Sequence, residues 1–221
     1  MTRPSPAPPP GETTTPRPVG RPRVDRSEAP SRIAILDAAE SLFAERGFDA
    51  TPTKAIARRA DVTPGLVFYY FPTKESLLKT LVEERSVLPK IMDLLQTESD
   101  GDDGFRGALQ TVGRDLYDLI RRSNDIVRIV TSEVPHHPYI QRHWEDMLES
   151  VLDQLTAYVV HVSGGTVTID RAAPLARLFF STIAFHAIFD PDHDRDTLID
   201  ELAATLGRSA SLTAEPGRSR G

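Results

Sequence analysis

The stretch Thr63-Pro64-Gly65-Leu66-Val67-Phe68-Tyr69-Tyr70-Phe71 gathers groups suited to gripping a surface rather than transforming a substrate. The Thr63 hydroxyl can cap a helix, and Pro64 is preset for its first position. Helical spacing turns Val67 and Phe71 inward and leaves Gly65, Leu66, Phe68 and Tyr69 outside. Consecutive aromatics are hard to bury together in a small unit, so at least one is expected to meet a partner. Rings of this kind suit a phosphate backbone or thymine methyl groups, and Gly65 permits close approach of the main chain. Catalytic chemistry has no comparable foothold. There is no cysteine, and no nucleophile–base–orienter set or phosphate loop. His136, His137 and His143 lie in or just after a proline-bounded turn without a fixed helical ligand pair, so this reading assigns no metal and no cofactor.

The elements that would hold this stretch read as helices. Ser31 is the expected cap of a first helix, with Ile35, Leu36, Ala39, Leu42 and Phe43 at helical spacing and Gly47 as its stop. Thr53 is expected to cap a short helix over 54–60, and Asp61-Val62-Thr63 to form the turn into the aromatic helix, which Pro72 ends. Thr73 caps the next helix, with Leu77, Leu81, Leu88, Ile91 and Leu95 on one side. After an acidic break at 99–104, further helices are marked by Phe105 to Leu119, by Ile126 to Val130, and by Ile140 to Val162 up to Ser163-Gly164-Gly165. A short extended piece is read at 166–169, then a helix from Asp170 through Phe189, and a last one bearing Leu198, Leu202 and Leu206. The expected fold class is all-α: a three-helix helix-turn-helix unit at 31–76, an antiparallel helical regulatory and dimerisation part at 77–208, an arm at 1–30 and a tail at 209–221.

Charge is divided along the chain. The 221 residues carry a net −6, yet residues 1–80 hold 12 Lys/Arg and 9 Asp/Glu, a net +3, and the rest hold 14 and 23, a net −9. A front end that meets phosphates and a back end that does not fits this division, as does chance clustering on a solvated face. The proline-rich beginning has no apolar stretch of a secretory signal, and no segment has about 18 uninterrupted apolar residues, so a cytoplasmic protein without a membrane partner is expected. Arg17, Arg21 and Arg23 read either as an arm laid along a minor groove or as a basic linker.

Taken in order, Ile35-Leu-Asp-Ala-Ala-Glu-Ser-Leu-Phe43, Arg46-Gly-Phe48, Thr53, Ile56-Ala57, Val62-Thr63, Gly65, Tyr69-Tyr-Phe71, Lys74-Glu75 and Leu77-Leu78 resemble the DNA-binding domain of the tetracycline-repressor (TetR/AcrR) family across residues 33–78. The resemblance implies a ligand-responsive transcriptional repressor that binds a palindromic DNA operator as a homodimer. By position it implies that Thr53, Thr63, Phe68, Tyr69 and Tyr70 touch backbone or groove, that Pro64, Gly65 and Leu66 approach bases, and that Lys74 pairs with a phosphate. Three departures matter: Asp61 stands where a turn glycine is usual, Pro64 where a polar residue is common, and Phe68 where tyrosine is common. Polar base reading is therefore thin, and Leu66 and Phe68 are expected to read thymine methyls or groove shape.

The regulatory part is read more coarsely. Tyr117 and Trp144 are core residues or pocket walls, and with Met147 and Phe185 they form the candidate pocket for an unknown small-molecule effector. The helix ending at Phe189 is apolar nearly all round and needs two partners. By resemblance, one is a dimer seam shared with the last helix, for which Leu175, Phe179, Thr182, His186, Leu198 and Leu202 are the candidates. His186 reads equally as a buried histidine. An activator or architectural DNA-binding protein of the same fold, a helical adaptor and, remotely, an all-α enzyme are the competing readings.

Overall fold

The computed structural model describes residues 29–96, 104–190 and 192–211. Arg17, Arg21 and Arg23, most of the acidic break and the end of the chain lie outside the described residues. Among the described residues, ten α-helices follow in order: α1 (Pro30–Arg46), α2 (Thr53–Arg59), α3 (Pro64–Tyr70), α4 (Lys74–Arg85), α5 (Leu88–Gln96), α6 (Gly104–Arg122), α7 (Asn124–Glu133), α8 (Pro138–Val162), α9 (Ile169–Phe189) and α10 (Arg195–Ser211), with a 3₁₀ turn, Val134–His136, before α8. No strand occurs among the described residues, and the fold class is all-α as expected.

α1 is the hub of the N-terminal part. It buries Ile35, Leu36, Ala38, Ala39, Leu42 and Phe43, packing against α2, α3 and α4 and also against α7. Its cap position is Ala29 rather than Ser31, because Pro30 occupies the first helical position, where its fixed φ suits the helix and its missing N–H leaves nothing unsatisfied. Two ion pairs tie α1 to α4: Arg32 with Glu84, and Arg85 with Asp37 at 2.7 Å.

The single helix expected through Leu77 and Leu95 is two helices. Ser86 leaves helical geometry at φ −50 and ψ 140, and its hydroxyl accepts the Leu88 N–H at 3.3 Å. Pro89 gives the reason. In an unbroken helix its ring would collide with the Arg85 carbonyl, and it has no N–H to donate. The leucine stripe conceals the break because both helices turn Leu77, Leu81, Leu88, Ile91 and Leu95 inward.

The remaining helices form an antiparallel bundle in which α8 packs on α5 and α9, while α6 packs on α9 and α10. α8 ends where the sequence places its stop: Gly164 takes φ 62, which lets the Gly165 N–H reach the Val160 carbonyl at 3.1 Å. The extended piece expected at 166–169 is only a short connection. Val167 is buried, Thr168 is the cap, and α9 starts at Ile169. Polar clamps seat α10 on α6: Arg114 meets Asp200 at 2.9 Å and Asp196 at 3.1 Å, and Arg195 meets Asp118 at 2.8 Å. Between α6 and its neighbours, a Cβ on Gly113 would lie 3.0 Å from Phe179 Cζ and 3.1 Å from Ile199, so glycine sets how closely these helices approach. The buried apolar cluster runs without a break from Ile35 to Leu206.

Candidate nucleic-acid interface

Local chemistry builds the reading head. α2 is capped by Pro52 in extended geometry, not by Thr53, which is its first residue. Its end is a Schellman arrangement in which the Val62 N–H donates to the Ala57 carbonyl at 3.0 Å and the Asp61 N–H to the Arg58 carbonyl at 3.4 Å. Asp61 sits at φ 53, the left-handed geometry that makes glycine usual there and that a short polar side chain tolerates. Thr63 then caps α3, its hydroxyl oxygen accepting the Leu66 N–H at 3.3 Å. A full capping box opens α4, with the Ser76 N–H donating to Thr73 Oγ1 at 3.0 Å and the Thr73 N–H to Ser76 Oγ at 3.1 Å.

These caps fix the face of α3. Val67 and Phe71 are buried, whereas Phe68 is 50% and Tyr69 56% exposed. Thr63, Pro64 and Gly65 are also exposed, and Leu66, Tyr70 and Thr53 are half-buried. A Cβ built on Gly65 would meet nothing within 4 Å, so nothing in the fold itself demands the glycine. The rings of Tyr69 and Tyr70 pack edge to face at 5.1 Å.

Lys74 is placed differently from the phosphate contact implied at its position. Its Nζ donates to the carbonyls of Phe48 at 2.9 Å and of Asp49 and Thr51 at 3.4 Å, and lies 4.2 Å from the centre of the Phe48 ring. The ammonium thus closes the loop between α1 and α2. Lys74→Met should lower stability by about 1.5–3 kcal/mol, the range for hydrogen bonds to a charged group, as read by urea unfolding. A variant with unchanged stability and a salt slope of DNA binding smaller by about one would instead make Lys74 a phosphate contact. Two cations overlooked in the sequence are better disposed: Lys54 and Arg58 lie four residues apart on α2, and both are exposed.

The candidate effector residues do not come together. Trp144 lines an apolar cavity of about 90 Å³ between α5, α6, α7, α8 and α9, walled also by Leu88, Ile91, Ile120, Phe180 and Ile188, with Thr131 at its edge. Tyr117 is buried in the core away from that lining, and Met147 is half-buried on α8 outside it. Phe185 stands 56% exposed on the outer face of α9. The pocket role expected of it fails because an apolar helix does not announce in its sequence which of its sides faces inward.

The seam candidates divide likewise. Phe179 is fully buried against α6, and Leu198 is buried too. Leu175, Thr182, His186 and Leu202 are half-buried. Besides Ile169 at its start, the exposed large apolar residues of α9 are Leu178, Phe185 and Phe189, which helical spacing aligns with Thr182. By length and composition alone α9 is apolar enough to cross a membrane, but its Ala172, Ala176, Phe179, Ile183 and Ala187 side is locked into the bundle. One link between the two ends of the fold was not legible in the sequence: the Tyr139 hydroxyl at the start of α8 donates to Glu83 of α4. Lys79 lies 4.1 Å from the Tyr139 ring centre, and its hydrogen bond with that hydroxyl pushes its pKa up.

A capped helix-turn-helix whose second helix presents aromatics, joined to an antiparallel α bundle, defines the class of helix-turn-helix regulators. Residues 35–81 match the model of bacterial regulatory proteins, tetR family, so the N-terminal helices are similar to the DNA-binding part of that family. It is 40% identical over 87 residues, 37% of its own length, to the HTH-type transcriptional repressor Rv3405c of Mycobacterium tuberculosis, and the match covers 45% of that protein. To the uncharacterized HTH-type transcriptional regulator YvkB of Bacillus subtilis it is 28% identical over 155 residues, 70% of this chain and 79% of that one. The chain thus spans about half the length of the Mycobacterium relative and most of the Bacillus one. A transcriptional regulator from Rhodococcus sp. Rha1 superposes with a TM-score of 0.65 at 20% identity, covering 82% of this chain and 97% of that one, which speaks for the fold.

Proposed function

We propose that the protein is a ligand-responsive transcriptional repressor that binds a palindromic DNA operator as a homodimer in the cytoplasm. The outward presentation of Phe68 and Tyr69 from a helix capped at Thr63 carries this reading. Residues 31–76 form the reading unit and 77–208 the regulatory and dimerisation part. α3 enters the major groove, Leu66 and Phe68 meet thymine methyls, and Thr63, Tyr69 and Tyr70 meet the backbone. Lys54 and Arg58 supply phosphate contacts, with Arg17, Arg21 and Arg23 adding positive charge ahead of α1. The repressor assignment is supported by the Mycobacterium relative, which is named a repressor.

Two copies meet through the outer face of α9, where Leu178, Phe185 and Phe189 form an apolar strip, together with α10. Two-fold symmetry then sets the reading heads on half-sites about 34 Å apart, one helical turn of DNA. The effector enters the cavity beside Trp144. At about 90 Å³, that space is well below the roughly 300 Å³ of a small-molecule site, so an occupant must push the surrounding helices apart. Movement of α8 reaches α4 through Tyr139, Glu83 and Lys79, and α4 carries the reading unit with it. A coupling of about 1–3 kcal/mol suffices for regulation.

Selection of bound fragments from random DNA, followed by fluorescence anisotropy across a salt series, tests the reading. The expected result is a two-fold symmetric, thymine-containing site whose affinity falls steeply with salt. Absence of DNA binding in low salt overturns it.

A further inference from the structure

Outside the reading head and the cavity, three metal-ligating side chains converge where α9 hands over to α10. His186 lies in the last turn of α9, Asp190 is its C-cap, and His193 follows in the turn before α10. Asp190 Oδ2 is 3.3 Å from His186 Nδ1 and 3.6 Å from His193 Nδ1, and one donor atom from each residue falls within 4.8 Å of the other two. The turn is held by the His193 N–H donating to the Asp190 carbonyl at 3.2 Å.

We propose that this corner is a binding site for one zinc-class divalent ion per chain. Bonds of about 2.0–2.2 Å to nitrogen and oxygen in a tetrahedral site put ligand atoms about 3.3–3.5 Å apart, so the two histidine–aspartate spacings need almost no adjustment. Two imidazoles and one carboxylate favour zinc and its transition-metal neighbours over magnesium or calcium, which take oxygen. Solvent fills the fourth position. The C-terminal end of α9 adds the negative pole of the helix dipole. All three side chains are partly exposed, which leaves the ion a path in. Metal binding uses the neutral His186 tautomer that carries its proton on Nε2, which leaves the Nδ1 lone pair facing the ion beside Asp190 Oδ2.

The site fastens the corner between α9 and α10 and is independent of whether the protein binds DNA. The His186–Asp190 pair at i,i+4 was visible in the sequence, but the approach of His193 depends on the turn.

The test uses the full chain, without a histidine tag and freed of metal by chelator, titrated with ZnCl₂ by calorimetry and with CoCl₂ by visible absorption. One ion per chain, a four-coordinate Co(II) spectrum and a thermal midpoint raised by zinc are expected. His193→Ala and Asp190→Asn should each weaken zinc binding at least about tenfold. Chemical modification of histidines on the unaltered chain needs no variant: zinc should protect His186 and His193, but not His136, His137 or His143. No zinc uptake, uptake undiminished in His186→Ala/His193→Ala, or protection falling on the other histidines overturns the proposal.

Discussion

Replacing Phe68 and Tyr69 together by alanine should weaken operator binding by about 100-fold or more while leaving the unfolding curve almost unchanged. Half or more of each side chain is open to solvent, and substitutions at such surface positions usually stay within about 0.5 kcal/mol of the parent. Their worth in a complex is larger. A well-placed groove contact is worth about 1–3 kcal/mol, and two of them multiply to this loss at about 1.4 kcal/mol per factor of ten. Neither residue neutralises a phosphate, so the slope of affinity against salt should stay the same. Val67→Ala is the contrasting control. Val67 is buried beneath the same helix, and its loss should lower stability first and DNA binding only through it. Undiminished affinity in the double variant would move the reading face away from α3.

Phe179→Ala should cost about 3–5 kcal/mol of stability, the range for deleting a buried phenylalanine, whereas Phe185→Ser/Phe189→Ser should leave the protomer's fold intact and drive the dimer towards monomer. The three residues lie within ten positions of one helix, yet their surroundings differ completely. Phe179 is wholly buried, with Gly113 and Ile199 of α6 and α10 close about it, so truncation to alanine leaves a cavity between these helices. Phe185 and Phe189 are 56% and 65% exposed, and their rings touch each other at 5.5 Å. Unfolding in urea over a range of protein concentrations separates the two effects, because loss of association makes the midpoint concentration-independent. Sedimentation velocity reads the assembly directly. A Phe185→Ser/Phe189→Ser protein that still sediments as a dimer would place the seam elsewhere.

What the sequence determined by itself is the part written in local chemistry. Caps, turns and helix stops depend on residues three to five apart, so the turn at Asp61, the Thr63 and Thr73 caps and the end of α8 were all legible without knowing what lay beyond them. Local reading failed where two local signals competed: Pro30 and Pro52 displaced Ser31 and Thr53 from the cap roles expected of them, and Pro89 broke a helix whose leucine stripe ran on. The same locality gave the outward side of α3, since its inward residues had to be Val67 and Phe71.

Only the tertiary structure decided what several elements decide together. α9 is apolar around most of its circumference, so its sequence is equally content with any face inward. The close approach allowed at Gly113 chose the Phe179 face and left Phe185 outside. Lys74 had its role set by carbonyls some 25 residues earlier in the chain, and Trp144 its place in a cavity by five helices at once. Packing energy depends on which surfaces meet, and a single strand of residues carries that information only after it has folded.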